Sequence, residues 1–363
     1  MSILKFKNTI EVFYKDNIIS FVSSGSSIEV EDNQGILKFL CDHISKSIKI
    51  DEFEKITKNS PYSIECINDA LNLLDENLLL ETENRSFYNL TDNDILRFSR
   101  NFDFFNSFIT KNDSKYLYQD KLKKSKVALL GVGGLGSHIL YDLVALGVHN
   151  ITAVDFDVVE LSNLNRQILY REKDIGQRKI KAAEKNILEF NKNININFID
   201  TKLDSSSKIS SIIKNHDIVI CVADKPRFEI PYWLNEACLQ ENIPFINGGI
   251  SVQQASFYSV IPYKSGCVEC WKKESIKKGL SLQSTLQNNQ KIYESEFPAP
   301  AFVPLVSILT GMMLSEFTKI ITGISKPISL NNYLSFHFQT LKIDVIESWE
   351  RNIDCNLCGN NKV

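Results

Sequence analysis

Hydrophobic and polar positions follow two different patterns along the chain, and the change falls near residue 126. From there on, short apolar runs alternate with segments whose apolar positions recur at helical spacing. The patterns predict five strands, Val127–Leu130, Ile151–Val154, Ile194–Phe198, Ile218–Val222 and Phe245–Ile246, and three helices, Gly134–Leu146, Arg178–Phe190 and Phe228–Gln240. Strands that alternate with helices are typical of an α/β fold with a doubly wound, Rossmann-like parallel sheet.

The N-terminal residues 1–92 lack this alternation. We predict two paired strands, two helices and two more paired strands, in this order: Ile10–Tyr14, Ile18–Val22, Ile36–Ile44 capped by Asp32 or Asn33, a helix beginning at Ser63, Leu78–Glu81 and Phe87–Leu90, the last two joined at Asn84-Arg85. This order is the layout of a small winged-helix module. Residues 93–125 are polar and aromatic, and we interpret them as a linker and dimer-contact segment before a domain at 126–363.

Composition and charge are those of an ordinary globular protein. Hydrophobic residues make up 43% and charged residues 23% of the 363 residues, and the formal net charge is −3. A net negative chain has no general attraction for nucleic acid or acidic membranes, so we expect neither as a partner. No apolar run reaches the ~20 residues that span a bilayer, and the N-terminus lacks the apolar stretch of a signal peptide, which predicts a cytoplasmic protein.

A glycine-rich turn follows the first strand of the predicted sheet. GVGGLG at 131–136 matches G-x-G-x-x-G through Gly131, Gly133 and Gly136, and the helix that begins there offers free N–H groups to an anion. Asp155 ends the next strand about 20 residues on, where a carboxylate can hold ribose hydroxyls. The pattern predicts a nucleotide site; the alternative is a tight strand–helix turn without a ligand.

Polar and cationic side chains follow the second strand more densely than a dinucleotide needs. The run DFDVVELSNLNRQ and the later GQRK supply Asp157, Asn163, Arg166, Gln167 and Lys179. A triphosphate needs such groups, because its charge must be neutralised while the α-phosphorus is attacked. We therefore predict that these residues bind ATP, with Arg166 and Lys179 also catalytic. The simpler interpretation of either cation is a solvated helix face.

Asp224 follows the apolar strand Ile218–Val222, at the carboxyl edge of the predicted sheet, where ligands bind in open α/β folds. A carboxylate that faces a triphosphate at this edge is suited to hold Mg²⁺ and to take part in catalysis. The alternative is that Asp224 caps the helix that begins near Phe228.

Two C-x2-C pairs supply four of the eight cysteines, Cys267 with Cys270 and Cys355 with Cys358. Paired knuckles of this kind hold structural zinc tetrahedrally and leave no coordination position for catalysis. A zinc ion there would tie the C-terminal segment back onto the domain. The other cysteines, such as Cys221 in an apolar strand, are expected to be packing residues rather than nucleophiles.

Taken together, these motifs resemble a known superfamily. RFSRN, GVGGLG, DFDVVELSNLNRQ, GQRK, VADKPR and both cysteine pairs, over roughly 95–363, are similar to the adenylating enzymes of the ThiF, MoeB and ubiquitin-activating superfamily. SRNF, GCVEC, FPAPAFVP and the terminal CxxCGN are similar to its microcin C branch, the MccB type. The pantocin branch, the PaaA type, is a relative of that branch.

The resemblance implies a role for each matching position. The three glycines would line the phosphate turn. Nucleotide contacts are implied for four side chains, Asp155 on the ribose and Asn163, Arg166 and Lys179 on the triphosphate. Asp224 would bind Mg²⁺. Arg100 matches a catalytic arginine that the partner subunit contributes in trans, which implies a homodimer with two shared active sites.

The resemblance also implies the class of substrate. In the microcin branch the N-terminal module clamps a short ribosomally made precursor peptide, whose C-terminal Asn is adenylated and rearranged. The pantocin branch activates and cyclises internal Glu side chains, and MoeB-like enzymes activate a sulfur-carrier protein that ends in Gly-Gly. We favour the microcin-like peptide, with the N-terminal module and the polar segment 275–297 choosing the substrate. A non-catalytic scaffold and an NAD-dependent oxidoreductase are the alternatives of other classes.

The chain lacks a feature of the ubiquitin-type members of this superfamily, and this limits the reactions that it is expected to catalyse. Ubiquitin-type enzymes pass the activated group to a catalytic cysteine, but no cysteine lies between Cys270 and Cys355. A thioester relay is therefore not expected, and the acyl-adenylate would be released or rearranged directly.

Overall fold

The computed structural model describes residues 2–23, 25–83, 88–278 and 301–359. The chain divides into two compact units, 1–121 and 122–363. Each unit has a hydrophobic core of its own.

The N-terminal unit contains two small antiparallel sheets and short helices. Its elements are β1 (Ile3–Phe6), β2 (Glu11–Lys15), β3 (Ile18–Ser23), β4 (Ser26–Glu31), α1 (Ile36–Ile44), β5 (Ile48–Lys49), α2 (Ile50–Lys58), α3 (Ile64–Glu76), β6 (Leu80–Glu83), α4 (Asp92–Arg97) and α5 (Ser99–Asn106). α6 (Lys115–Lys124) crosses the boundary between the units. The strand orders are β5-β1-β6 and β2-β3-β4.

The predicted first hairpin and both predicted N-terminal helices are confirmed. β2 and β3 pair around Asp16, whose φ of 55° suits a tight turn. Ser63 caps α3 by accepting a hydrogen bond from the Cys66 amide at 3.2 Å. The Asp32 carboxylate accepts from two amides in the first turn of α1, although Gly35 is the residue that precedes the helix. Local polar side chains thus fix where these helices begin.

The predicted second hairpin is wrong where the structure describes it. β6 pairs with β1, with Leu80 opposite Phe6, and Tyr88–Leu90 forms no strand. Burial explains this pairing, because Leu80 and Phe6 both belong to the N-terminal core. Residues 84–87, which include the predicted turn, lie outside the described residues. The winged-helix layout is therefore not established, and β1, β4, β5 and α2 have no counterpart in it.

Residues 88–121 pack within the N-terminal unit. Phe98, Phe102 and Tyr116 form a small buried cluster there. Glu81 of β6 is also buried and accepts a hydrogen bond from the Lys115 ammonium at 3.0 Å. This segment therefore shares a buried ion pair with the sheet. The domain boundaries at 92 and 125 remain predictions.

The second unit is built on an eight-stranded sheet. Its elements are β7 (Lys126–Leu130), α7 (Gly134–Leu146), β8 (Asn150–Asp155), α8 (Lys179–Phe190), β9 (Asn195–Asp200), α9 (Ser206–Ile213), β10 (Ile218–Cys221), α10 (Ile230–Glu241), β11 (Phe245–Ile250), β12 (Gln254–Val260), α11 (Val268–Lys277), α12 (Val303–Thr322), β13 (Asn332–His337) and β14 (Lys342–Ser348). The strand order is β14-β13-β12-β11-β10-β7-β8-β9. β9, β8, β7, β10 and β11 are parallel, whereas β12 to β14 run antiparallel. The five predicted strands and three predicted helices are confirmed.

The order of strands reverses in the middle of this sheet. β8 and β9 lie on one side of β7, and β10 and β11 lie on the other. A parallel sheet leaves a crevice at such a reversal, outside the carboxyl ends of the strands. The crevice therefore opens beyond Leu130 and Cys221, the last residues of β7 and β10.

α12 is long and apolar enough to cross a membrane by length and composition, with a mean hydropathy of 1.3. Half of that window is nevertheless buried inside the fold, where α12 packs on α7, β11 and β12. Glu316 on this helix is buried and accepts a hydrogen bond from the Ser329 amide at 2.8 Å. Within the described ranges no other helix passes this test, and α12 packs as a core helix does.

Candidate nucleotide site and cysteine cluster

The glycine turn fits tightly between the ends of three parallel strands. Gly131 has a φ of +95°, and its amide donates to the Val154 carbonyl at 2.9 Å. A Cβ on Gly131 would lie 2.9 Å from the Ala223 nitrogen, and one on Gly136 would lie 1.9 Å from the Gly131 oxygen. Only glycine fits these two positions, because any side chain would collide with backbone.

Two side chains hold the backbone of Val132, one at its amide and one at its carbonyl. The Asp155 carboxylate accepts from the Val132 amide at 2.7 Å, and the Tyr170 hydroxyl donates to the Val132 carbonyl at 2.7 Å. Asp155 also accepts from the Asp157 amide at 2.9 Å. Burial raises the pKa of Tyr170, which keeps its hydroxyl protonated and able to donate. The predicted ribose ligand Asp155 therefore lies at the turn, and Tyr170 is a support that the sequence did not reveal.

Gly133 faces two buried polar side chains. The position of a Cβ on Gly133 lies 3.9 Å from Nε2 of Gln167 and 4.0 Å from Nζ of Lys179. Gln167 is 3% exposed and Lys179 5% exposed. Oε1 of Gln167 is buried, and no hydrogen-bond partner for it lies in the part of the chain that the structure describes. A buried amide with an unmet hydrogen bond beside an open glycine fits a polar ligand at this point.

Arg166 lies along the next glycine. Its Nε is 3.5 Å from the position of a Cβ on Gly134, and its Nη1 donates to the Ser162 carbonyl at 3.0 Å and to Oδ1 of Asn165 at 2.9 Å. Two of the predicted phosphate ligands, Arg166 and Lys179, are thus brought to the same turn. Asn163 shapes the same loop, because its carbonyl accepts from the Gln167 amide and its side chain accepts from the Glu160 amide at 3.1 Å.

Asp224 lies just beyond the end of β10 and follows Ala223, whose backbone nitrogen lies 2.9 Å from a Cβ placed on Gly131. Its side chain is exposed. The capping alternative is not supported, because α10 begins at Ile230 and Glu229 is the residue before it. Arg100 belongs to the other unit, where it is exposed on α5.

The four cysteines of the two C-x2-C pairs come together in the fold. Their sulfur atoms all lie within 4.8 Å of one another, and all four residues are buried. The Sγ of Cys267 is 3.8 Å from that of Cys270 and 3.7 Å from that of Cys355, and Cys270 is 3.4 Å from Cys358. A tetrahedron with Zn–S bonds of about 2.3 Å has edges of about 3.8 Å, so the cluster is compatible with zinc.

The electrostatics of the four thiols also fit a bound metal ion. Hydrogen bonding with Cys270 and Cys358 raises the pKa of Cys267, whereas hydrogen bonding with Cys267 and Cys358 lowers the pKa of Cys270. Four thiolates this close together would repel one another, and a divalent cation would offset that repulsion. Cys221 lies outside this cluster, and burial raises its pKa to about 11, which fits the predicted packing role. Cys41 and Cys238 are buried as well, whereas Cys66 is exposed, so the predicted packing role is wrong for Cys66.

The sequence from 98 to 357 matches the model of the ThiF family. The chain belongs to the ThiF family. Since the match covers more than half of the chain and includes both the glycine turn and three of the four clustered cysteines, Cys267, Cys270 and Cys355, it supports an adenylyltransferase with a Rossmann-like domain.

Curated relatives carry adenylyltransferase names. The molybdopterin-synthase adenylyltransferase of Escherichia coli is 27% identical over 276 residues, which cover 74% of this chain and 98% of that protein. The sulfur carrier protein adenylyltransferase of Thermus thermophilus is 29% identical over 253 residues, covering 67% of this chain and 85% of its own length. About a quarter of the chain therefore has no counterpart in the first of these relatives.

Solved structures extend the likeness to nearly the whole chain. MccB of Escherichia coli is 25% identical with a TM-score of 0.79, over 100% of this chain and 98% of MccB. PaaA shares 22% identity with a TM-score of 0.70, over 95% of this chain and 100% of PaaA. The predicted likeness to these two enzymes within the family is confirmed.

Proposed function

We propose that this protein uses ATP and Mg²⁺ to adenylate a carboxylate or amide group on a ribosomally made precursor peptide. The observation that carries the proposal is the meeting of Arg166, Gln167 and Lys179 at Gly133 and Gly134. A triphosphate would accept a hydrogen bond from Nε2 of Gln167, which faces Gly133, and balance the charge of both cations. The N-terminus of α7 adds backbone N–H groups to the same site.

The proposed contacts follow from these positions. Gly133 leaves room for the phosphates, and Gly131 and Gly136 let the turn pack tightly against backbone beneath them. Asp155 would face the ribose, Asp157 holds Lys179 at the site, and Asn163 would support the loop under the triphosphate. Asp224, exposed beside the turn, is the proposed Mg²⁺ ligand. These roles rest on position and chemistry, and each can be tested by a single substitution.

The proposed reaction is an in-line displacement at the α-phosphorus. A peptide carboxylate or amide oxygen forms a bond to that phosphorus, and the bond to the bridging oxygen of pyrophosphate breaks. The electron pair leaves with pyrophosphate, whose charge Lys179, Arg166 and Mg²⁺ would neutralise. The acyl-adenylate that results has an electrophilic carbonyl, ready for rearrangement.

A peptide is the favoured substrate because the MccB-like and PaaA-like folds extend over the N-terminal unit, whereas the molybdopterin-synthase relative matches 74% of the chain. MccB has been solved with ATP and with the peptide MccA. We propose the microcin-like modification of a C-terminal Asn, which the whole-chain likeness to MccB supports. PaaA-like activation of internal Glu is the second candidate, and the curated relatives favour a third, a sulfur-carrier protein.

We also propose a homodimer in which Arg100 completes the partner's site. Leu96 and Phe104 lie four residues to either side of Arg100 and are 77% and 56% exposed. Phe104 packs on Phe108, which is 48% exposed, with ring centroids 5.2 Å apart. Exposed apolar side chains close to Arg100 in the sequence fit a contact with a second copy of the chain.

Exchange of labelled pyrophosphate into ATP tests the reaction. We expect exchange with one of three substrates: a heptapeptide ending in Asn, a peptide with an internal Glu-Glu pair, or a carrier protein ending in Gly-Gly. Asp224→Ala should abolish exchange without changing the unfolding temperature, because this side chain is exposed. ATP binding without exchange for any of the three would exclude the proposed reaction, and exchange with the carrier alone would select the third candidate.

Mixing two inactive variants tests the shared site. Arg100→Ala and Lys179→Ala homodimers should each be inactive. If Arg100 acts in trans, the mixed dimer contains one site with both residues intact and regains about a quarter of wild-type activity in a statistical mixture. No recovery after subunit exchange would place Arg100 in the site of its own chain or outside it.

A further inference from the structure

A histidine on α7 contacts the backbone of a proposed phosphate ligand. His138 lies one turn after Gly134, is 6% exposed, and has its Nε2 3.0 Å from the Arg166 carbonyl oxygen. A carbonyl oxygen only accepts, so Nε2 must carry the proton and donate. The length is that of an ordinary N–H···O bond, and burial shields it from water.

Arg166 is therefore fixed to α7 at two points. Its side chain lies along Gly134, with Cδ 3.6 Å from the position of a Cβ there, and its carbonyl is held by His138. The guanidinium is tied at its far end to the Ser162 carbonyl. The His138 bond thus adds a backbone contact to the side-chain contact between Arg166 and α7.

We propose that His138 is a positioning residue for the triphosphate, which acts through Arg166. The inference rests on the proposed ATP site. Because Gln167 follows Arg166 directly and is 3% exposed, the same bond also fixes the buried amide that faces Gly133. His138 itself touches no phosphate in this proposal. Its effect should therefore appear with ligands that carry phosphates and vanish with ligands that do not.

A purely structural role makes a different prediction. A histidine that only fills the core would lower stability when replaced and weaken all ligands alike. His216 provides the matched control, because it too lies in the second unit and binds a backbone carbonyl, with Nδ1 2.9 Å from the Ile213 oxygen. Its other nitrogen contacts Thr152, away from the glycine turn.

The test compares the binding of ATP–Mg²⁺ and of adenosine by calorimetry in folded variants. We expect His138→Leu to weaken ATP about tenfold and adenosine less than about twofold, since one buried carbonyl loses its donor. His138→Gln, which keeps a donor, should return ATP affinity to within about threefold of wild type. His216→Leu should leave both affinities unchanged. If His138→Leu does not fold, His138→Gln and His138→Asn can be compared instead. The asparagine side chain is too short to reach the Arg166 carbonyl, so His138→Asn takes the place of the variant that lacks the donor.

A double-mutant cycle separates the two roles. In an Arg166→Ala background, His138→Leu should cause a much smaller further loss of ATP affinity than in wild type, because only its effect on Gln167 remains. Additive losses, or equal weakening of ATP and adenosine, would overturn the positioning role while leaving the proposed function intact. Failure of the wild-type protein to bind ATP would overturn the proposed function itself, and this inference with it.

Discussion

Lys179 and Asp157 form an ion pair beside the glycine turn, with Nζ of the lysine 2.8 Å from Oδ2 of the aspartate. The two partners differ in exposure, because the lysine side chain is 7% exposed and the aspartate side chain 51% exposed. The buried cation is thus held by a counter-ion that solvent already reaches. An incoming phosphate could replace that counter-ion without moving the lysine.

Asp157→Asn should lower the free energy of unfolding by about 1–3 kcal/mol, because a buried ammonium loses its partner. ATP should then raise the unfolding temperature more in this variant than in wild type, since the triphosphate supplies the missing charge. Thermal unfolding with and without ATP–Mg²⁺ measures both effects. Glu184→Gln, which breaks the exposed pair with Lys181 on the same helix, should change stability by less than about 0.5 kcal/mol. Equal effects of the two substitutions would contradict the ion-pair role.

Gly136→Ala should destabilise the second unit by about 3 kcal/mol and abolish ATP binding, because the new Cβ would lie 1.9 Å from the Gly131 oxygen. Gly311→Ala is the matched control. Gly311 lies inside α12, and among the described residues outside its own stretch of helix no atom lies within 4 Å of a Cβ placed there. The control should stabilise the protein by about 0.5–1 kcal/mol, as alanine does in a helix. Chemical denaturation and calorimetry test the pair, and a stable, ATP-binding Gly136→Ala protein would refute the tight turn.

The purified protein should contain one zinc ion per chain, measured by elemental analysis. Cys270→Ser, or removal of the metal by a chelator, should lower the unfolding temperature by about 10 °C, because the cluster ties residues 355–358 to residues 267–270. Activity should fall only at temperatures where the altered protein unfolds. Cys66→Ser, at an exposed free cysteine, should change neither zinc content nor stability. A metal-free wild-type protein of unchanged stability would rule out the structural role.

Stability should depend on pH through Lys7. Burial lowers the pKa of Lys7 from 10.5 to about 8, against the opposing effects of Glu81 and Asp75. Between these values the unfolded chain holds a proton that the folded chain has released, so the free energy of unfolding rises as pH rises from 8 toward 10.5. Below pH 8 this gain is absent.

Lys7→Met should remove this contribution, so the difference in unfolding free energy between wild type and variant should grow with pH in favour of the wild type. Denaturation at pH 7, 8, 9 and 10 gives that difference. Other groups that titrate in the window are common to both proteins and cancel. A difference that is constant across the four pH values would show that Lys7 does not titrate there.

The parallel sheet could be predicted because its determinants are local. Four of the five strands from Val127 to Ile246 are short, mostly apolar runs, and Ile194–Phe198 alternates apolar residues with asparagine. The glycine turn lies between a strand and a helix that can each be predicted from their own sequence. The cysteine cluster was equally predictable, because the C-x2-C spacing alone identified its four thiols. The N-terminal unit was harder, because β1 is only four residues long and its partner Leu80 is 74 residues away from Phe6.

The side chains that support the site were the least predictable. Arg166 and Lys179 could be inferred from their charge and density, but nothing in the sequence links Tyr170 to Val132 or His138 to Arg166. Such bonds depend on where a loop of irregular structure returns to the sheet. Asp224 was located correctly at a strand end, whereas its contact with Mg²⁺ stays a prediction.

The effect of an oxidant on the four clustered cysteines depends on whether the metal ion has already been lost. While a cation is bound, the four thiolates are shielded. Once it leaves, Cys270 and Cys358, whose sulfurs are 3.4 Å apart, are the pair that an oxidant would join most readily as a disulfide. In a protein stored in air with a chelator, a Cys270–Cys358 disulfide would then keep the C-terminal segment attached to the domain. Such a protein would not bind zinc again until a reductant had broken that disulfide.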